Sequence, residues 1–194
     1  MKHRAADLIH LFNTTFLASH NTVLVGGAEE PIYLPADGEY RHHRIIFTRD
    51  YFASALHEVA HWCIAGAERR QRVDYGYWYE PDGRGADQQA EFERVEARPQ
   101  AIEKAFSLAC SAPFRVSLDN LDGAVIDSRG FEERVRKEHE SLSATGFPPR
   151  AERFIAALRT FYQALDASNR GRSLKTDHDD DSDKDGGAVR LPPQ

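Results

Sequence analysis

The feature that most constrains this chain is the run His57-Glu58-Val59-Ala60-His61, because it lies in a segment with the pattern of a buried helix. A helix makes about 3.6 residues per turn, so residues four apart lie above one another and both imidazoles can reach one ion. Apolar side chains supply a buried face for the same segment: Leu56, Val59, Cys63 and Ile64. This arrangement is typical of a metal site, with Glu58 available as a catalytic base. Two surface histidines beside a solvated glutamate are the alternative.

A catalytic metal that keeps open positions needs a third protein ligand beside the two histidines. The segment 87–103 has apolar residues at helical spacing, and Glu93 and Glu96 share a face adjoining them. We favour Glu96, because a polar residue four positions after the ligand often orients a histidine in zinc-peptidase-like helices, and Gln100 occupies that position. Glu93 stays an alternative ligand, and so does the interpretation that both glutamates are solvated surface charges.

The hydrophobic pattern predicts a single α+β domain over residues 1–167 and a disordered acidic tail over 168–194, where aspartates replace apolar residues. Pro99 removes one backbone hydrogen bond, so we expect the helix at 87–109 to be broken near it. Besides the segment with the two histidines, helices are expected at 5–17, 87–109, 131–143 and 150–167, and strands near 22–25, 43–47 and 73–79.

Composition limits the class of protein. The chain has 194 residues, 41% of them hydrophobic, which suits one domain with a sizeable core. A formal charge of −6 argues against nonspecific nucleic-acid binding, and the N-terminal residues show neither a signal peptide nor a membrane span. Cys63 and Cys110 lie in apolar helical patterns, which predicts buried thiols and a reducing cytoplasm. We therefore expect a cytoplasmic protein that binds neither nucleic acid nor membrane.

A basic cluster, Arg69, Arg70 and Arg72, follows the predicted metal helix. It has two interpretations. The cluster can dock an acidic protein partner, or its positive charge can complement the C-terminal end of the helix before it.

Several longer blocks of sequence keep a characteristic order and spacing over roughly residues 5–167. They are 57–66, 74–79, 81–84, 92–93, 95–96, 99–101, 113–121, 146–148 and 161–162. Together these blocks resemble the elongation factor P hydroxylase family. Blocks of this length are far more specific than the five-residue motif alone.

The resemblance implies an iron-dependent protein hydroxylase, a monooxygenase-type oxidoreductase with a fold similar to zinc peptidases. Its substrate would be a lysine of translation elongation factor P that already carries a β-lysyl group, hydroxylated with O₂ late in the maturation of that factor. Carried over to this sequence, His57, His61 and Glu96 would form a two-histidine, one-carboxylate triad that holds Fe²⁺. Zn²⁺ could occupy the same ligands in purified protein.

A long cationic substrate side chain calls for aromatic walls and carboxylates. Tyr77, Trp78 and Asp82 follow the metal helix, and Asp119 lies in a second polar loop. We therefore predict that these four residues contact the substrate. The alternative for the tyrosines of this stretch is a half-buried position in a strand.

Ligand type does not separate a hydroxylase from a peptidase, because imidazole and carboxylate accept Fe²⁺ and Zn²⁺ alike. In a peptidase, Glu58 would take a proton from metal-bound water. In a hydroxylase it would orient water, relay protons or pair with the cationic substrate. A noncatalytic metal-containing module that binds a translation partner is the third hypothesis.

Overall fold

The computed structural model describes residues 3–75, 85–118 and 128–176. These residues form five α-helices and a three-stranded sheet, with the segments that connect them. The chain is a single mixed α+β domain, as predicted. In chain order the elements are α1 (Ala5–His20), β1 (Thr22–Ala28), β2 (Ile32–Leu34), β3 (His43–Thr48), α2 (Phe52–Ile64), α3 (Ala86–Cys110), α4 (Arg129–Thr145) and α5 (Pro149–Thr176).

The sheet has the order β1-β3-β2, with β3 parallel to β1 and antiparallel to β2. Leu24 on β1 pairs with Ile45 on β3, and both are buried. Beyond β2, Asp74 forms a single antiparallel bridge with Tyr33. A strand was predicted at 73–79, and within the described part of that segment the structure has this bridge instead. The predicted residues from 76 onward lie outside the described ranges.

An aromatic core fixes the orientation of α2. The ring centroid of Trp62 lies 5.2 Å from that of Phe12 and 4.9 Å from that of Phe16, both on α1. Phe154 on α5 packs edge-on against Phe106 on α3 with centroids 5.1 Å apart. Such ring pairs add to the free energy gained by burial. Trp62 therefore anchors α2 against α1.

Helix α3 runs without interruption from Ala86 to Cys110, with Pro99 inside it, so the predicted break near this proline is wrong. A proline within a helix costs about 3 kcal/mol. The helix buries Phe92 before the proline and Ile102 and Phe106 after it. Each such side chain contributes about 1.5–3 kcal/mol when buried, so tertiary packing outweighs the local cost.

Helices α1 and α5 continue at their C-terminal ends beyond the apolar pattern that predicted them. α1 continues to His20 and closes at Asn21, whose φ of 50° ends the helix in the left-handed region. α5 continues to Thr176, beyond the predicted start of the tail at Ser168. Apolar spacing reports the part of a helix that packs against the core, and a polar continuation leaves no such pattern. Residues 177–194 lie outside the described part of the chain.

The two cysteines are free and buried, as predicted. Burial raises the pKa of both thiols. In the described part of the chain, no helix has the length and apolar character needed to cross a lipid bilayer.

Candidate metal centre

The centre forms where α2 packs against α3. His57 and His61 lie one turn apart on α2, and Glu96 points toward them from the middle of α3. The two Nε2 atoms are 3.0 Å apart. The carboxylate oxygens of Glu96 lie 3.3 Å from Nε2 of His61 and 3.6 Å from Nε2 of His57. The three side chains proposed as ligands therefore converge on one small volume.

These separations fit a divalent metal ion. Ligand atoms about 2.0–2.2 Å from one ion, at angles between octahedral and tetrahedral values, lie about 3.0–3.6 Å from each other. Glu96 is 1% exposed, and its Oε2 accepts no hydrogen bond from the described residues. A buried carboxylate oxygen without a donor costs free energy, which coordination to a metal would remove.

Glu103 hydrogen bonds to His57 through the ring nitrogen that does not face the other proposed ligands. Its Oε2 lies 2.9 Å from Nδ1 of His57 and accepts a hydrogen bond from the protonated Nδ1. This contact leaves the lone pair of Nε2 directed at the centre, the arrangement that orients metal-ligating histidines in general. The sequence analysis missed Glu103. Its position in the sequence could have indicated this role. Glu103 follows Glu96 by seven residues, about two helical turns, which puts both carboxylates on one face of α3.

Gln100 is fully buried between Glu96 and the segment that follows α3. Its Nε2 donates to the carbonyl of Ser117 at 2.8 Å, and its Oε1 accepts from the backbone N–H of Ser117 at 3.0 Å. Its amide also helps to lower the pKa of the Glu96 carboxyl. Glu103 therefore contacts His57, whereas the amide of Gln100 connects α3 to Ser117.

Glu93, the alternative ligand, points elsewhere. Its Oε1 accepts a hydrogen bond from Gln89 at 3.2 Å, and its Oε2 pairs with Arg134 on α4. The structure therefore brings Glu96 to the histidines and uses Glu93 to connect α3 with α4.

The centre is strongly negative when it holds no metal. Burial opposes a charge on His57, but the carboxylates of Glu103, Glu96 and Glu58 outweigh it and raise the pKa of His57 to about 10. Burial also opposes the charge of Glu96, yet the two histidines keep the pKa of this carboxyl below its usual value. The metal-free centre thus holds a proton that a bound cation would displace.

A cleft that is partly open to solvent lies beside the centre. Glu58 and His61 line it together with Tyr33, Trp62 and Asp74. Glu58, the predicted catalytic residue, therefore borders this cleft. Tyr33 and Asp74 escaped the sequence analysis because they come from separate elements that only the fold joins.

The sequence predicts four residues that contact the substrate. Tyr77, Trp78, Asp82 and Asp119 lie outside the described residues.

The fold and the centre define an α+β domain with a two-histidine, one-carboxylate candidate metal site. The family model for elongation factor P hydroxylase matches residues 11–170. The elongation factor P lysine hydroxylase of Haemophilus influenzae is 44% identical over 169 residues, which cover 87% of this chain and 95% of that protein. The chain therefore belongs to the elongation factor P hydroxylase family, as its sequence blocks indicated.

Proposed function

We propose that this protein hydroxylates a lysine of elongation factor P, with catalysis at the centre formed by His57, His61 and Glu96. The observation that carries the proposal is the convergence of these three side chains on one volume within the segment matched by the family model. The Haemophilus influenzae relative, whose name states this activity, aligns with nearly the whole chain. We further propose that the lysine already bears a β-lysyl group, so that the reaction is a late step of maturation.

The metal we propose is Fe²⁺. Two histidines and one carboxylate leave open positions on a bound ion, which is the ligand set of non-haem iron oxygenases. Iron held there would supply the activation of O₂ in a monooxygenase-type reaction. The protein supplies the ligands, the orientation of His57 by Glu103, and a largely buried site that limits access of water.

Glu58 is the residue that we propose to move protons. It borders the cleft beside His61, so its carboxylate lies where it can accept or return a proton next to the metal centre. The same place would let it pair with a cationic substrate. A zinc peptidase would use an equivalent glutamate on metal-bound water, so the test must distinguish oxygen transfer from peptide cleavage.

Other expectations remain part of the proposal. We expect the core to resemble zinc peptidases, the catalytic domain to lie within residues 1–167, and the acidic tail to be disordered beyond the end of α5 at Thr176. We expect the protein to act in the cytoplasm without binding nucleic acid or membrane. Substrate contacts are proposed for Tyr77, Trp78, Asp82 and Asp119, with Gln100 supporting the ligand Glu96.

The test is the intact mass of β-lysylated elongation factor P after incubation with the protein, a reductant and air. Protein loaded with Fe²⁺ should add ~16 Da, and the zinc-loaded form should add nothing, because zinc has no redox chemistry. His57→Ala is the control without a functional centre. If the factor is cleaved into fragments and gains no oxygen, the protein is a peptidase instead.

A further inference from the structure

Two arginines from distant parts of the chain meet at the C-terminal end of α2, one turn beyond the proposed ligand His61. Ala65 follows the helix directly, and its N–H donates to the carbonyl of His61 at 3.0 Å. The carbonyl of Ala65 accepts hydrogen bonds from Nη1 of Arg70 at 2.5 Å and from Nη2 of Arg150 at 2.6 Å. Two guanidinium groups of the same charge therefore share one acceptor.

A third arginine, Arg153, lies beside them over the aromatic core. The guanidinium carbon of Arg150 is 4.8 Å from the ring centroid of Trp62, and that of Arg153 is 5.4 Å from the centroid of Phe16. The two rings contact each other, with centroids 4.9 Å apart. We call Arg70, Arg150 and Arg153 the arginine cluster. Because Arg153 is exposed, the cluster reaches the surface of the protein.

In the part of the chain that the structure describes, no carboxylate forms an ion pair with the arginine cluster. Arg70 and Arg150 donate to backbone carbonyls, and Nη1 of Arg153 donates to the hydroxyl of Ser19 at 3.1 Å. The end of a helix offers about half a negative charge, whereas the cluster carries three full positive charges. Burial, and then the charge of Arg70, lowers the pKa of Arg150. The cluster therefore has an excess of positive charge.

This cluster differs from the basic run at 69–72 that the sequence indicated. Within that run, Arg69 pairs with Asp74, whereas Arg70 donates to the end of α2. Arg70 therefore complements the helix end, which was one of the two interpretations of the run. Arg150 joins it from α5, 85 residues after Ala65 in the sequence, so no local pattern could indicate the cluster.

The arginine cluster borders the cleft beside the metal centre. Arg70 and Trp62 line this partly open cleft together with Glu58 and His61. A protein segment that approaches the centre through the cleft therefore passes next to the cluster. The formal charge of the whole chain is −6, so most of its surface repels an acidic partner, and the cluster provides local attraction where the partner must bind.

We propose that the arginine cluster docks elongation factor P by binding aspartate or glutamate side chains close to the modified lysine. The inference rests on the proposed function and gives its substrate a docking surface. Guanidinium groups bind carboxylates through two parallel hydrogen bonds, so acidic side chains suit the cluster better than neutral ones. Attraction between opposite charges also speeds the encounter and fixes the orientation in which the lysine meets the centre.

The experiment measures binding of β-lysylated elongation factor P to the full chain loaded with Zn²⁺, so it does not depend on turnover. Surface plasmon resonance gives the association rate and the affinity at several salt concentrations. The variant is Arg153→Glu, because Arg153 is exposed. Arg159→Glu is the matched control, since it makes the same change of charge at an exposed position on the same helix.

His20 provides a second measurement at the cluster itself. Its ring centroid lies 5.4 Å from that of Trp62, and burial, followed by the charges of the three arginines, lowers its pKa. A bound carboxylate offsets those charges, so the pKa of His20 should rise when the factor binds. NMR titration of the imidazole measures this pKa, and the His20→Gln variant identifies its signal.

Arg153→Glu should bind the factor about tenfold more weakly than Arg159→Glu, mainly through slower association, and added salt should weaken binding to the unaltered protein. Equal affinities in the two variants would overturn the proposal. An affinity of the unaltered protein that salt does not change would overturn it even if Arg153→Glu did not fold.

The chain's own aspartates at 177–185 are the alternative occupant of the cluster. If replacing them by asparagine lowers the pKa of His20, while the factor leaves this pKa unchanged, the cluster binds the acidic tail and the proposal is wrong. Weaker binding by Arg153→Glu, together with no oxygen transfer by the unaltered protein loaded with iron, would support the docking surface and count against the proposed function alone.

Discussion

Glu103 accepts a hydrogen bond from Nδ1 of His57 at 2.9 Å and joins α3 to the helix that carries both histidines. The two residues are 46 positions apart in sequence. The same helix, α3, also delivers Glu96 to the other side of the centre. One helix therefore provides one proposed ligand and orients another, so the packing of α2 on α3 determines the geometry of the centre.

Replacement of Glu103 by glutamine should weaken metal binding without abolishing it. Glutamine can still accept a hydrogen bond from His57, but it lacks the negative charge that makes the imidazole a better ligand. We expect metal affinity to fall about 10- to 100-fold, as measured by competition with a chelator. Glu91→Gln is the matched control, since Glu91 lies exposed on the same helix and pairs with Arg94. An unchanged affinity in Glu103→Gln would show that the contact does not tune the centre.

Glu96 and Glu93 should respond differently to the same substitution. Glu96→Gln should lose most metal binding, because a neutral amide replaces the buried anionic ligand. Glu93→Gln should keep the metal and lose only its pair with Arg134 on α4, a change of about 1 kcal/mol or less in the free energy of unfolding. Metal content and urea denaturation measure the two effects. Retention of metal by Glu96→Gln together with its loss from Glu93→Gln would reverse the assignment.

Metal uptake should release a proton and strengthen with pH. The pKa of His57 is raised to about 10 in the metal-free protein, so at neutral pH its imidazole is charged and must lose a proton before it can bind a metal. We expect close to one proton released per ion, and an affinity that rises about tenfold per pH unit below that pKa. Calorimetry in two buffers of different ionisation enthalpy measures the release. Identical heats in both buffers would contradict the prediction.

The same pKa shift has a consequence for stability. The pKa of His57 is higher in the folded protein than in the unfolded chain, where it is about 6.5. The ion pair with Glu103 therefore stabilises the metal-free protein fully below pH 6.5, and this contribution disappears as the pH rises through about 10. Urea denaturation of metal-free protein across this range should show the decline, and Glu103→Gln should show a smaller one. A decline of equal size in both proteins would assign it to other groups.

Arg150 should stabilise the end of the metal helix. Its Nη2 lies 2.6–3.0 Å from the carbonyls of Trp62, Cys63 and Ala65, and its guanidinium carbon lies 4.8 Å from the ring centroid of Trp62. Arg150→Ala should lower the free energy of unfolding by about 2 kcal/mol, since charge-assisted hydrogen bonds and a helix-end interaction are lost together. Arg153→Ala, one turn along α5, is the control. Equal losses in the two variants would show that the carbonyl contacts add nothing specific.

The parts of the centre that lie within one helix could be predicted from sequence. His57 and His61 repeat at four residues, and Glu96 lies on a helix whose apolar spacing is also regular. Local periodicity determines which residues share a face, so it placed His57 with His61 and Glu93 with Glu96. Glu96 was favoured over Glu93 because Gln100 lies four residues later, and the triad was implied by the family resemblance. Glu103 shares the face of Glu96, but the pattern alone does not distinguish a carboxylate behind a histidine from a solvated one.

The parts that depend on long-range packing could not be predicted in the same way. Tyr33 and Asp74 meet through one bridge between segments about 40 residues apart, and no local pattern encodes that pairing. The continuation of α3 through Pro99 also depends on long-range packing, because the side chains on both sides of the proline are buried by contacts with other elements. The sequence thus predicts which residues share one face of a helix or strand, but it does not predict which faces pack against each other in the folded protein.

The most direct test of the account is the origin of the oxygen added to elongation factor P. The iron-loaded protein, Glu93→Gln and Glu96→Gln are each incubated with the β-lysylated factor and a reductant under ¹⁸O₂ in ordinary water, and the modified lysine is examined by tandem mass spectrometry. We expect a gain of ~18 Da with the unaltered protein and with Glu93→Gln, and none with Glu96→Gln, because only Glu96 belongs to the ligand set. Oxygen drawn from water, or full ¹⁸O incorporation by Glu96→Gln, would contradict hydroxylation at this centre.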